Sequence, residues 1–292
     1  MKVLITGASG FIGRSLADYL RDYHEAAAPS RLELNLLNDE EVTRYLRQNQ
    51  FEVIVHAATV RANRRLGSPP HLLEENCRMF FNLVRNQDAF GKLFFLSSGA
   101  VYDRRHARPH IAEECFDSHV PADDYGFSKY ICARFIASAR NLVELRLFGV
   151  FGPHEDWQIR FLSNACCRAV CGLPIVIRQN VNFDYMDVSD LALIVDRLMK
   201  GEPRHPAYNA CSGRVFDLVT LAEKVVRASG KTLPIEVKEP GLGPEYSGDN
   251  RRLLEEIPGF RFRDIDDSVG ALYRWYWDHR QGIDPDGLHF DG

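Results

Sequence analysis

The chain has 292 residues, 45% of them hydrophobic and 26% charged, with a formal net charge of -4, so it can bury a large core in one big domain or two modest ones. That charge gives no global electrostatic reason to expect nucleic acid or an anionic membrane as partner, and no apolar run approaches membrane-spanning length. Met1-Lys2 runs directly into a strand-like segment without a signal-peptide n-region, so a cytoplasmic protein is expected.

Lys2 to Thr6 is a short β-branched strand ending at Gly7-Ala8-Ser9-Gly10-Phe11-Ile12-Gly13, after which Leu16, Ala17 and Leu20 recur at helical spacing. Glycines there let the backbone turn tightly, approach a pyrophosphate and pack helix on strand, while the helix amino terminus offers unpaired N–H groups. Gly7 to Gly13, with Ser9, Phe11 and Ile12 between the glycines, are therefore candidate dinucleotide contacts. A second strand is expected within His24 to Pro29, and its tip carries Ser30 and Arg31. An acidic residue at that tip would accept ribose hydroxyls, whereas a guanidinium suits a 2'-phosphate. Arg31, with Arg14 as a second cation, thus favours NADP(H), while nearby Glu33 keeps NAD(H) open; Asn35 and Leu36 follow as cofactor-lining positions.

The alternation continues with a helix from Asp39 to about Gln48, a strand Val53 to His56, a helix Leu72 to Ala89 and a strand Leu93 to Ser97. Strands separated by helices imply a parallel sheet whose ligands lie outside the carboxyl ends of the strands. Ala57 and Ala58 fall at such an end and are small enough for a cofactor to press on backbone. His56 reads as a structural strand histidine. Next, Tyr125-x-x-x-Lys129 opens a helix running to about Arg140, which puts a phenol and an ammonium on one face. A free tyrosine holds its proton to about pH 10. A neighbouring cation lowers that value, so the pair can exchange a proton with one substrate oxygen.

Leu142 to Leu147 is a further strand, and Gly152-Pro153 marks a change of architecture. Beyond it we expect a helix Arg160 to Gly172, a strand Ile175 to Arg178, a helix capped by Ser189, a helix Leu218 to Ser229, a strand Ile235 to Lys238 and a helix Asp266 to Asp278. The fold class is α/β: a Rossmann doubly wound parallel sheet over 1–153, with 183–200 returning to it, and a smaller α/β substrate lobe over 154–292. Seven cysteines (Cys77, Cys115, Cys132, Cys166, Cys167, Cys171, Cys211) lie in neither disulfide-scaffold nor zinc-finger spacing, so they read as reduced packing residues and no metal is expected.

Gly7-x-x-Gly10-x-x-Gly13, His56-Ala57-Ala58, Asn76, Ser97-Ser98-x-x-Val101-Tyr102, Tyr125-x-x-x-Lys129 and Gly152-Pro153 occur in the order of one family. The chain resembles an extended short-chain dehydrogenase/reductase of the nucleotide-sugar epimerase, dehydratase and reductase group. That resemblance implies a nicotinamide cofactor and a nucleotide-diphosphate sugar lying between two lobes. Carried over, Ser98 would hydrogen-bond the reacting sugar oxygen, with Gly99 and Ala100 beside it. Tyr125 would exchange its proton, and Lys129 would hold the nicotinamide ribose. Asn76 is similar to a helix asparagine that supports the lysine.

Departures narrow the reading. Sugar 4,6-dehydratases place an acidic pair where this chain has Gly99 and Ala100, which cannot eliminate water. The run Arg31 to Leu37 resembles that of the GDP-fucose synthase group, which uses NADPH but epimerises through a cysteine at the position of Ala100. Gly149 and Phe183 stand where many nucleotide-sugar enzymes carry an asparagine and an arginine. For the diphosphate the candidate cations are Arg160, Arg178 and Arg252. The expectation is an NADP(H)-dependent reductase of a nucleotide-linked 4-keto-6-deoxy sugar, acting as a homodimer paired through the Leu72 and Tyr125 helices. Rival readings are a nucleotide-sugar 4-epimerase and, from another class, a non-catalytic NAD(P)-binding sensor or scaffold.

Overall fold

The computed structural model describes residues 1–61, 67 and 69–288. Its first part alternates as the apolar periodicity requires: β1 (Lys2–Thr6), α1 (Phe11–Arg21), β2 (Glu25–Ala27), α2 (Asp39–Asn49), β3 (Phe51–His56), α3 (Leu72–Val84), β4 (Phe90–Ser98), α4 (Asp124–Ile136) and β5 (Leu142–Leu147). There follow β6 (Gly149–Phe151), α5 (Phe161–Cys171), β7 (Ile175–Asp187), α6 (Val188–Lys200), β8 (Ala207–Ala210), β9 (Val215–Asp217), α7 (Leu218–Ser229), β10 (Ile235–Tyr246), α8 (Arg251–Glu256) and α9 (Ile265–Asp278).

Six parallel strands form one sheet in the order β2-β1-β3-β4-β5-β8. Alternate residues of its strands feed two cores, Ile5 and Val55 meeting α1 and α6 on one face, Leu4 and Ile54 meeting α2 and α3 on the other. Both faces are covered, which is why these strands read as continuous apolar runs. From β1 the chain goes to β2 on one side and then crosses to β3 on the other, and the crevice opens at the carboxyl ends where the order reverses. This is the Rossmann-type α/β arrangement. A second sheet, β10-β7-β6 with β9 antiparallel on β7, packs with α5, α7 and α9 around Leu162, Ile175, Leu221 and Leu272.

Several boundaries differ from those expected. α3 stops at Val84 and a single turn, Gln87–Ala89, follows; α4 ends at Ile136. β7 and β10 run well past Arg178 and Lys238, because they pair with each other through register shifts along most of their length. Ser189 does not cap α6: the Asp187 carboxylate accepts the Ser189 N–H at 2.8 Å. The large sheet also draws on more of the second half than 183–200. β8 pairs with β5, and Leu253, Ile257 and Phe260 join the same core as α1 and α6.

All seven cysteines are free, with Cys166 and Cys167 buried in the second core. Among the described residues no group of His, Cys, Asp or Glu side chains could hold a metal ion, and no helix is long and apolar enough to cross a membrane.

Candidate active site

At the end of β1 the backbone turns at Gly7 with φ +74°, where a Cβ would come within 2.5 Å of the Ala58 nitrogen. A Cβ on Gly13 would meet the Gly7 carbonyl oxygen at 2.2 Å. Only glycine allows turn, helix and β3 exit to touch this closely. Gly10 caps α1 without a side-chain bond, and no acidic residue lies in the first turn. The open N–H groups therefore face whatever anion enters. A cleft of about 620 Å³ runs from this turn, lined by Gly7, Ser9, Gly10, Phe11, Ile12 and Gly13 together with Arg31, Asn35, Leu36, Ala57 and Ala58. Tyr125 and Arg160 line the same cleft.

The phenol is placed by α4, whose amino terminus is held by the Asp123 carboxylate accepting the Gly126 N–H at 2.8 Å. One turn on, Lys129 is buried and donates from Nζ to the Leu96 carbonyl at 3.2 Å, above the Phe95 ring at 4.5 Å. Burial alone would raise the Tyr125 pKa. Arg61, Lys129, the Ser98 hydroxyl and Arg104 outweigh it, and the phenol lies below its ordinary value. Burial lowers the Lys129 pKa, opposed by Tyr125, Cys132 and Glu144. Ser98 ends β4, accepts the Ala100 N–H at 3.2 Å and lies 3.4 Å from the Tyr246 hydroxyl. His56 shares a 2.7 Å hydrogen bond with Thr6, and burial followed by the Lys129 charge depresses its pKa to about 3. It is a neutral buried residue, consistent with its structural reading.

The family model described as NAD dependent epimerase/dehydratase matches residues 3–211. The chain belongs to that family. It is accordingly an NAD(P)-dependent enzyme of the nucleotide-sugar epimerase and reductase type. It is 27% identical to ADP-L-glycero-D-manno-heptose-6-epimerase of Pseudomonas paraeruginosa, with 94% of this chain and 98% of the relative covered. Among solved structures it is similar to a GDP-D-glycero-L-gluco-heptose synthase from Campylobacter jejuni in the presence of NADPH (TM-score 0.80, 17% identity, 94% and 97% covered). It is also similar to the UDP-glucose 4-epimerase of Thermus thermophilus in complex with NAD (TM-score 0.78, 22% identity, 97% and 100% covered). The glycine cradle and open helix end fit the pyrophosphate of such a cofactor.

For an epimerase/dehydratase family chain, other expected residues fall elsewhere. Arg14 lines an adjoining hollow with His154, Trp157 and Trp275, not the cleft. Arg178 is paired with Glu239 on the exposed β7–β10 surface, and Arg252 is held by Glu114 and the Ala207 carbonyl; neither lines the cleft. Ala100 is buried, and Gly99 lines a small hollow with Arg104 and Tyr246. The side-chain oxygen of Asn76 accepts the Val60 N–H (2.7 Å) and its amide donates to the Val60 carbonyl (2.9 Å), pinning the exit of β3. Sequence reasoning missed Arg61, Arg104, Glu155 and Tyr246. Glu155 has a serine partner, Ser163, and burial raises its pKa to about 7 against the pull of Ser163, Arg160 and Arg61. None of the four belongs to a local motif, since each reaches the site from a loop or a distant strand end.

Proposed function

We propose that this chain uses NADPH to reduce a nucleotide-linked 4-keto-6-deoxy sugar. The observation that supports it best is a reaction centre with one proton donor, Tyr125, beside Ser98 and Lys129, and with Gly99 and Ala100 offering no acid or base for elimination. When bound, the nicotinamide supplies the hydride. Tyr125 gives its proton to the carbonyl oxygen as negative charge grows there, and the charges of Arg61 and Lys129 stabilise the phenolate left behind. The Ser98 hydroxyl is placed to orient the same oxygen. Burial keeps Lys129 fixed, so no reorganisation accompanies the step.

The cofactor preference rests on Arg31. It lines the cleft, whereas the Glu33 carboxylate is turned to the Ser30 N–H at 2.7 Å and does not. A guanidinium without a carboxylate beside the ribose suits a 2'-phosphate.

The test is incubation of the protein with NADPH and a panel of nucleotide 4-keto-6-deoxy sugars, following nicotinamide absorbance and separating the sugars. Loss of NADPH matched by a reduced sugar is expected; no consumption with any member sinks the reductase reading. Near-complete coverage of the heptose epimerase favours a second reading, an epimerase that returns its hydride each turnover, which the same assay detects as sugar isomerisation without net NADPH loss. We also propose a homodimer through α3 and α4, because Phe127, Ile131 and Phe135 on α4 remain only half-buried in one chain. A monomer by light scattering would count against it.

A further inference from the structure

Across from Tyr125, the wall of the site is aromatic. Tyr246, at the end of β10, packs against Phe148 at 5.0 Å and Phe183 at 5.1 Å between ring centroids, and its hydroxyl reaches Ser98. The Arg104 guanidinium lies 5.5 Å from the centre of the Tyr246 ring and helps lower the Tyr125 pKa.

Arg104 is kept available by its neighbours. Asp103, at φ +61°, spends its carboxylate on Arg105 and His106. Glu245, in the same small hollow, is turned to Asn182 and Ser247. Arg105, Arg134, Arg146 and Arg252 each sit on a carboxylate, whereas among the described residues Arg104 has no ion-pair partner. Arg104 is exposed, so its guanidinium, without an ion-pair partner and stacked on the Tyr246 ring next to Ser98, is open to an entering ligand and geometrically suited to a phosphoryl group.

We propose that Arg104, with the Tyr246 hydroxyl beside it, binds the substrate's diphosphate, one sugar ring away from Ser98 and Tyr125. This rests on the nucleotide-sugar reading and assigns its anionic half to a loop of the large-sheet lobe. Of the cations expected for that task, Arg160 lines the cleft, whereas Arg178 and Arg252 lie outside it, and Arg104 lines the adjoining hollow with Tyr246.

The test is calorimetric binding of UDP, GDP, ADP and inorganic pyrophosphate to the full chain held at saturating NADP⁺, for wild type, Arg104→Ala and Arg104→Lys. The expected result is at least one nucleoside diphosphate bound by wild type, about tenfold or more weaker binding in Arg104→Ala, an intermediate loss in Arg104→Lys, and unchanged NADP⁺ affinity. Equal diphosphate affinity in wild type and Arg104→Ala, no diphosphate binding by wild type, or an equal loss of NADP⁺ would each overturn it. The sugar panel is scored separately. NADPH consumption with Arg104-independent diphosphate binding removes only this inference, and Arg104-dependent binding without hydride transfer removes only the reductase reading.

Discussion

The cofactor wall of the cleft comes from one stretch of backbone, Gly7 to Gly13, closed by β3 at Ala57 and Ala58. The facing wall is assembled from Ser98, Phe148, Phe183 and Tyr246, four places spread across the chain. The first works through missing side chains and open N–H groups, so it suits any dinucleotide pyrophosphate. The second works through ring packing and one guanidinium, so it is where this chain can differ from its relatives. On the proposed function, general chemistry rests on local backbone and selectivity on contacts distant in sequence.

If Tyr125 joins the two walls, Tyr125→Phe should cut kcat by about 10²- to 10⁴-fold while leaving NADPH affinity nearly unchanged. Stopped-flow single turnovers with fluorescence titration of NADPH read both; near wild-type turnover would remove the proposed proton donor. On the cofactor wall alone, Arg31→Ala should weaken NADPH about tenfold to a hundredfold and NADH hardly at all. Equal losses for both would take Arg31 out of the 2'-phosphate site. The smallest effect concerns Glu155, which lines the cleft opposite the glycine turn. Its folded-state pKa of about 7 lies above the ordinary carboxylate value, so the folded chain holds a proton that the unfolded chain has already lost. This contribution to stability is fully present below the ordinary value and disappears as pH rises through 7. The melting temperature of the apo protein should fall by a few degrees between about pH 5 and 8, and Glu155→Gln should flatten the slope. An unchanged slope would show that Glu155 ionises normally.

The parallel α/β alternation and the glycine turn were legible because continuous apolar runs, helical spacing and glycines act over a few residues. Tyr125 and Lys129 were legible for the same reason, one turn apart on a helix. Asn76 was placed on the right helix, but its Val60 partner was not foreseen, because a helical position does not reveal which loop folds onto it. Arg178 and Arg252 failed similarly: their charge was visible, whereas Glu239 and Glu114, which neutralise them, approach from remote segments. Tyr246 gave no signal, since its meaning depends on β10 pairing with β7 through shifted register and ending against Ser98.

The strand β8 bears on how such a chain can be shortened. It covers β5, and α6 covers α1, yet both come from beyond Gly152-Pro153. A fragment stopped there would leave β5 as a bare parallel margin with Leu145 and Leu147 beside it, a template for pairing with further copies. The fold is therefore stitched rather than hinged: the large sheet and its covering helices are drawn from both sides of Gly152-Pro153.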